Sequence, residues 1–178
     1  MNAVYDAGHH GNAVLSRYPI ARWDNQDISA HRFESRGLLH CELALPRQDV
    51  GLHCICVHLG LSARGRGRQF NALVERIRRV VPEHAPLIVA GDFNDWRARK
   101  SGVSERLLEA LGLHEAFEIT HGRPARPFPA FLPMLTLDRI YVRGLKVLEA
   151  RRLHGTIEGS KWRGMSDHAG LAVRLALK

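Results

Sequence analysis

The feature that most constrains this chain is the run Leu87–Asp95, which reads Leu-Ile-Val-Ala-Gly-Asp-Phe-Asn-Asp. Its first four residues are apolar and partly β-branched, which is typical of a short buried strand. Polar groups follow directly after Gly91, so Asp92 and Asn94 stand where the strand ends. In an extended chain, residues two apart share a face. This pattern predicts a carboxylate and an amide that orient a water molecule and hold a phosphate oxygen; the alternative is an Asx-rich turn.

Other apolar runs bounded by turn residues predict further strands. The predicted strands cover residues 12–16, 37–45, 50–59, 86–90, 137–142 and 171–177, and the predicted helices cover residues 68–81 and 105–111. The short loop 46–49 predicts an antiparallel hairpin, and the prolines of residues 121–133 predict an irregular loop. Strands therefore dominate, and the pattern indicates a single α/β domain over residues 1–178, with mostly antiparallel sheets and helices on the outer faces.

Three further polar signals lie at or near the ends of predicted strands. His58 closes one strand, and taken alone such a residue is more often structural. Asp138 lies in a largely apolar predicted strand, where a carboxylate is costly unless a partner such as histidine pairs with it. Asp167 and His168 precede the last strand and supply a hard oxygen ligand and a donor to phosphate. Because strand ends of one packed sheet can converge, these side chains predict a single site.

Charge and cysteine content restrict the partners and the compartment. The net charge of +8 attracts polyanions, of which nucleic acid and anionic membrane surfaces are the obvious classes, although general composition also explains it. Cys41, Cys54 and Cys56 are an odd number and predict small buried side chains in a reducing compartment, so we expect a cytoplasmic protein. No apolar run approaches the roughly 18 residues that span a bilayer, and residues 1–10 lack a leader pattern.

Taken in order, the motifs resemble the endonuclease/exonuclease/phosphatase family, of the exonuclease III and DNase I type, from about residue 8 to the C-terminus. The nearest likeness is to a branch of small bacterial members of poorly defined substrate. The pair Gly-Asp-Phe-Asn and Ser-Asp-His, in this order and separation, is highly specific. The motifs that carry the resemblance are Gly11-Asn-Ala-Val-Leu-Ser-Arg-Tyr-Pro-Ile20, His58-Leu59, Arg66-x-x-Gln69, Gly91-Asp-Phe-Asn94, Leu137-Asp-Arg-Ile140 and Ser166-Asp-His168.

The resemblance implies a DNase I-like fold, which is a two-layer β-sandwich flanked by helices, and a Mg²⁺- or Mn²⁺-dependent hydrolase of phosphodiesters. By this likeness Asp92 orients or deprotonates the attacking water, and Asn94 holds the phosphate and positions Asp92. His168 stabilises the charge on the scissile phosphate and is held by Asp138. Asp167 ligates the metal. His58 is a second donor facing the phosphate.

The chain also departs from the family pattern. The family's early strands, one of which carries a metal-binding glutamate in a Gln-Glu pair, have no counterpart here, and Glu34 lies in a different context. We therefore expect an incomplete domain that lacks the N-terminal strands; a natural short form with altered function is the alternative. An exposed sheet surface, self-association and weak metal binding by Asp167 follow from this expectation.

Nucleic acid is the first expected substrate because of the basic charge. A phospholipid or another small phosphodiester is the alternative that the likeness to the bacterial branch suggests. A non-catalytic phosphate-binding protein is a further alternative, because the usual metal-binding glutamate is absent. The candidate substrate-binding residues are Trp96, Arg36, Arg66 and Trp162, with Phe128 and Phe131 of the proline loop as possible lining of the cleft.

Overall fold

A computed structural model of the protein describes residues 3–5, 8–96, 108–153, 156–157, 160–161 and 166–178. Residues 105–107 of the predicted helix at 105–111 and Trp162 therefore lie outside the described residues, and the last turn of that helix is seen at residues 108–109. The strands are β1 Ala3–Tyr5, β2 Gly8–His10, β3 Ile20–Asp27, β4 Gly37–Leu43, β5 Leu52–His58, β6 Leu87–Asp92, β7 His114–Glu115, β8 Asp138–Arg143, β9 Leu145–Arg152, β10 Thr156–Ile157, β11 Ser160–Lys161 and β12 Leu171–Leu177; the helices are α1 Ala63–Val80 and α2 Ala116–His121.

One six-stranded sheet dominates the α/β fold. Its strand order is β3-β4-β5-β6-β8-β7, and β5 and β6 are its parallel pair while the other neighbours are antiparallel. A second sheet pairs β12 with β9, and it adjoins the first through contacts of β12 with β8. This arrangement confirms the predicted mixed fold with mostly antiparallel sheets and few helices.

Helix α1 covers one face of the large sheet and connects its two parallel strands. Ser62 caps the helix by accepting a hydrogen bond from the Gly65 N–H, so the helix begins at Ala63 rather than at Arg68 as predicted. The buried side chains of α1 pack on Leu38, Ile55, Val57, Leu87 and Val89 of the sheet. Burial of each such side chain contributes about 1.5–3 kcal/mol, so this contact is the main source of stability.

The opposite face of the large sheet carries apolar side chains that remain half-buried among the described residues. Cys54 and Cys56 alternate with the buried Ile55, as predicted, and all three cysteines are free thiols. Ile88 and Ala90 lie beside them on β6 with similar burial. Burial raises the pKa of the Cys54 thiol to about 11, so this thiol stays protonated at neutral pH.

One predicted strand is not observed, and two observed strands were not predicted. In both cases the reason is whether the segment has a neighbouring strand to pair with. Residues 12–16 form no ladder in the described structure; instead the Asn12 amide donates to the carbonyl oxygens of Gly37 and Cys56, at 2.7 and 3.0 Å. Conversely, β3 and β9 were not predicted, because both are polar strands with largely exposed side chains. Their ladders with β4 and β12 stabilise them without an alternating apolar pattern. In the described residues no helix has the length and hydrophobicity to cross a bilayer.

Candidate active site

Strand register aligns three of the predicted site residues in one row. His58 is the Cα partner of Asp92 in the β5–β6 ladder, and Asp92 is the partner of Asp138 in the β6–β8 ladder. Side chains opposite each other on adjacent strands share a face, so the three project together from the face that α1 does not cover. The expectation that strand ends converge on one site therefore holds for these residues.

His168 joins this row from the loop before β12. Its Nδ1 lies 2.7 Å from Asp138 Oδ2, and the two side chains are about one quarter exposed. The ring of Phe128, in the proline loop, lies 4.8 Å from the His168 ring, centroid to centroid. The histidine partner predicted for Asp138 is thus present, and the pair fixes the His168 tautomer with Nε2 directed away from the carboxylate.

Burial raises the pKa of Asp138 above its ordinary value, and the hydrogen bond and charge of His168 oppose that rise. Asp92 raises the pKa of Asp138 further, since two carboxylates in adjacent ladder positions repel each other. A cation between or beside these carboxylates relieves that repulsion. The row therefore favours positive charge on His168 or on a bound ligand.

Asp92 lies at the centre of the row. Its Oδ1 accepts a hydrogen bond from the Asn94 backbone N–H at 2.8 Å, and its Oδ2 lies 3.6 Å from His58 Nε2. One carboxylate oxygen is thus fixed by the backbone, while the other is directed toward the histidine. A carboxylate held in this way can accept a hydrogen bond from a water molecule and orient it.

Asn94 reaches its position by a different route from the one predicted. The residue is 7% exposed and has a left-handed backbone with φ of 49°, so the chain is not extended between it and Asp92. Its Nδ2 donates to the Leu59 carbonyl at 2.8 Å. The expectation that the two side chains share a strand face is wrong, because the chain turns after β6. Asn94 positions Asp92 through its backbone N–H, and its amide ties the end of β6 to the end of β5.

Gly91 permits the close approach of these two strand ends. Its φ is +143°, and a Cβ built on it would overlap the backbone carbonyl of Val57 on β5. Only glycine adopts this backbone without strain and also leaves room for that neighbour. The glycine of the Gly-Asp-Phe-Asn motif is therefore part of the geometry that sets the distance from Asp92 to His58.

A buried network that sequence reasoning missed supports the loop after β5. Gln69 of α1 is 1% exposed; its Oε1 accepts from the Gly60 N–H at 2.7 Å. Its Nε2 donates to Glu34 Oε2 at 2.7 Å, and that oxygen also accepts from the Ala30 N–H. Gln69 was recognised as part of a motif, but nothing in the sequence shows that its partner is Glu34, 35 residues away.

The pKa of His58 depends on this network and on the other residues of the site. Burial and the guanidinium of Arg36 lower its pKa, Asp92 and Glu34 oppose that, and His168 lowers it further. With its pKa below the ordinary value near 6.5, His58 is neutral at pH 7. It can therefore donate a hydrogen bond to a phosphate oxygen without adding charge.

Three of the four predicted substrate-binding residues, Arg36, Arg66 and Trp96, lie within the described part of the chain, and their surroundings differ. Arg36 lies close enough to His58 to affect its pKa, and its buried Nε has no hydrogen-bond partner among the described residues. Arg66 is instead engaged: it donates to the carbonyls of Leu61 and Gly60, and its Nη2 lies 3.9 Å from Asp95. The geometry of Arg66 thus favours a positioning role. Trp96 is 50% exposed and lines a cavity of about 260 Å³.

Asp167 is exposed, and its backbone carbonyl accepts a hydrogen bond from the Ala130 N–H at 2.7 Å. Over the described ranges, no group of three or more His, Cys, Asp or Glu side chains has the spacing of a metal site. A hard cation prefers six or more oxygen ligands, so the described residues form an incomplete site for Mg²⁺ or Mn²⁺.

Comparisons with known proteins agree with this geometry. The model of the Endonuclease/Exonuclease/phosphatase family matches residues 2–168. The uncharacterized protein YbhP of Escherichia coli is 44% identical over 176 residues, which are 99% of this chain and 66% of that protein. The chain thus spans just under two thirds of that relative's length.

Solved structures share the fold at low sequence identity. The human Nocturnin catalytic domain with a bound sulfate anion superposes with a TM-score of 0.70 at 19% identity, over 91% of this chain and 60% of that one. D. rerio TDP2 complexed with single strand DNA product gives 0.66 at 16% identity, over 90% and 69%. At such identities these likenesses establish the DNase I-like fold alone.

Proposed function

The chain belongs to the endonuclease/exonuclease/phosphatase family, and from that premise we propose that it hydrolyses phosphodiesters. The observation that carries the proposal is the Asp138–His168 pair, at 2.7 Å, beside the carboxylate of Asp92 in one row of side chains. A phosphodiester is an anion under attack by a nucleophile. It needs a fixed donor on one side and an oriented water on the other.

Each residue of the row has one task in this proposal. His168 donates from Nε2 to a non-bridging oxygen of the scissile phosphate, because its Nδ1 is held by Asp138. Asp92 orients the attacking water and accepts its proton. His58, neutral at pH 7, donates a hydrogen bond to the same phosphate, and Arg36 adds positive charge nearby. A donor set that is fixed before substrate binds stabilises developing charge without reorganisation.

Dependence on a divalent cation is part of the proposal. Members of the family generally use such metals, and a bound cation supplies charge stabilisation to the phosphate. Asp167, with its exposed carboxylate, is the residue that we assign to hold it. Because this ligand set is incomplete, we expect weak binding.

Nucleic acid is the first substrate class that we propose, because the chain carries a net charge of +8. Polyanions bind such a surface through release of their counterions, which makes the affinity depend steeply on salt. A small phosphodiester or a phospholipid is the alternative within the same chemistry. A salt titration of DNA binding separates them: constant affinity between low and high salt would count against nucleic acid.

The direct test is hydrolysis of bis-p-nitrophenyl phosphate with Mg²⁺ or Mn²⁺. We expect slow release of nitrophenolate by the natural chain and loss of at least about 100-fold in Asp92→Asn, which removes the proton acceptor but retains the shape. Asp49→Asn is the matched control, since Asp49 lies in the hairpin loop between β4 and β5, remote from the row in sequence. Equal rates for all three proteins would mean a contaminating enzyme.

A second candidate, a non-catalytic phosphate-binding protein, is favoured by the incomplete metal site described above. It predicts that the folded chain binds phosphodiesters but releases no nitrophenolate with either cation. In that case His168→Ala would still weaken binding, because the donor to the phosphate would be lost. Binding and turnover measured on the same preparation distinguish the two candidates.

A further inference from the structure

Two adjoining cavities share the lining residues Arg123, Pro124 and Arg126. The larger, about 550 Å³, lies between α2, the proline loop and β9. The smaller, about 260 Å³, extends from the same loop to Trp96 and Thr136. We call the two cavities together the arginine groove.

The walls of the arginine groove are strongly basic. Arg152 joins Arg123 and Arg126 in the larger cavity, and neither cavity has an aspartate or a glutamate among its described lining residues. Arg152 donates from Nη1 to the Arg126 carbonyl at 2.9 Å, which orders this part of the wall. Arg123 and Arg126 are exposed and form no ion pair with a described carboxylate. Guanidinium groups without an internal partner are suited to bind phosphate, which they can contact by two parallel hydrogen bonds.

The smaller cavity extends from this basic wall to two residues that are close in sequence to the row. Thr136 lies two residues before Asp138, and Trp96 lies four residues after Asp92. The proline loop that bears Arg123 and Arg126 also bears Phe128, which packs on the His168 ring. A ligand with its scissile phosphate at His168 can therefore extend past Trp96 into the groove. The half-exposed Trp96 indole offers a face on which a base can stack.

We propose that the arginine groove binds a second phosphate of a single-stranded nucleic acid whose scissile phosphate lies at His168. The inference rests on the proposed phosphodiesterase function and specifies its substrate as one with at least two phosphates. The shape of the groove favours a strand over a membrane. The guanidinium groups of Arg123, Arg126 and Arg152 line concave walls, which a flexible strand enters and a flat lipid surface does not.

The test measures binding of a fluorescein-labelled oligothymidylate to the full chain by anisotropy, in EDTA so that no hydrolysis occurs. The variant Arg123→Ala/Arg126→Ala is compared with Arg78→Ala/Arg79→Ala. That control removes the same charge from the exposed last turn of α1, near the start of β6 and thus at the opposite end of that strand from Asp92. We expect at least about tenfold weaker binding in the groove variant and less than about twofold in the control, since only the former loses specific phosphate contacts.

Salt dependence gives a second readout. For a single strand, each lost phosphate contact lowers the slope of log affinity against log salt by about 0.7. We expect that decrease in the groove variant alone. Arg123→Lys/Arg126→Lys retains the charge but not the bidentate geometry, so it should restore the salt slope and only part of the affinity. Since both arginines are exposed, circular dichroism should show all variants folded.

The outcomes separate the two proposals. Equal losses in the groove and control variants, or no measurable oligonucleotide binding by the natural chain, would overturn the groove. Binding of phosphatidylglycerol vesicles that depends on Arg123 and Arg126, without such dependence for the oligonucleotide, would also overturn it in favour of a lipid partner. Absence of bis-p-nitrophenyl phosphate hydrolysis counts against the proposed function instead, because the binding assay needs no turnover.

Discussion

Replacement of Gln69 by leucine should destabilise the fold and disturb the active site together. Gln69 is 1% exposed and joins α1 to the loop after His58 and to Glu34. Gln69→Leu removes the acceptor for the buried Gly60 N–H, which costs about 1–3 kcal/mol when left unsatisfied. It also removes a hydrogen bond to a carboxylate, which contributes about 1.5–3 kcal/mol.

Burial of the leucine side chain offsets part of these losses, so we expect the free energy of unfolding to fall by about 2–4 kcal/mol. For a chain of this size each 1 kcal/mol lowers the melting temperature by about 2–4 °C, so the expected decrease is roughly 4–16 °C. Urea unfolding followed by circular dichroism measures the free energy directly. Phosphodiester hydrolysis should fall as well, because the loop after β5 loses its anchor.

Asn71→Leu is the matched control, since Asn71 is an exposed polar residue on the same helix. It tests the effect of leucine on α1 without the buried network, and we expect a change within about 0.5 kcal/mol. Gln69→Glu retains the acceptor for the Gly60 N–H but places a second carboxylate against Glu34. Its free energy of unfolding should therefore lie between those of the natural chain and Gln69→Leu. If Gln69→Leu were no less stable than Asn71→Leu, the network would not stabilise the site, and this reasoning would be refuted.

Three further predictions follow from the same structure. Gly91→Ala should lower the free energy of unfolding by about 3 kcal/mol or more in urea titrations, because the added Cβ meets the Val57 carbonyl. Gly122→Ala is the control: Gly122 has φ of +69° but open space around it, so the free energy of unfolding should fall by only about 1 kcal/mol. Asp138→Asn should reduce turnover by about 10²–10⁴-fold, because the amide no longer holds the His168 ring in its tautomer and orientation; unchanged turnover would show that the 2.7 Å contact does not position His168. His40 is 4% exposed, and burial lowers its pKa to about 4 from an unfolded value near 6.5. The free energy of unfolding of the natural chain should therefore fall by up to about 3 kcal/mol between pH 6.5 and pH 4. The decrease over the same pH range should be smaller in His40→Phe.

The sign of the His40 effect follows from its surroundings. Its Nε2 lies 2.9 Å from His53 Nδ1, and Arg76 donates to its Nδ1 at 3.3 Å, so the folded environment favours the neutral ring. The unfolded chain binds the proton more tightly, and acid therefore favours unfolding. Above about pH 7.5 the ring is neutral in both states and its contribution is constant.

Local pattern was enough to predict the elements that bury an apolar face. Strand β12 was predicted at its observed bounds, and β4, β5 and β6 within two residues at each end, because alternation and β-branched runs directly reflect burial. The polar strands β3 and β9 were missed, since their stability comes from ladders with partners distant in sequence.

The contacts of the site likewise divide into those that the sequence predicts and those that it does not. The pairing of Asp138 with a histidine was predictable, because a carboxylate in a largely apolar strand needs a partner. The link from Gln69 to Glu34 was not, since it joins a helix to a loop 35 residues earlier. Nor was the left-handed turn at Asn94, because asparagine is compatible with both an extended and a left-handed backbone.

The row of His58, Asp92 and Asp138 restricts where this chain can accept insertions and deletions. The same three strands carry core side chains on one face and, at one end of the other face, the site side chains. A single codon inserted into β6 would exchange its two faces, so that apolar groups replace the carboxylate and charge enters the core. Substitutions within these strands can be tolerated one at a time, but insertions and deletions must be confined to loops, and homologues should align through β5, β6 and β8 without gaps.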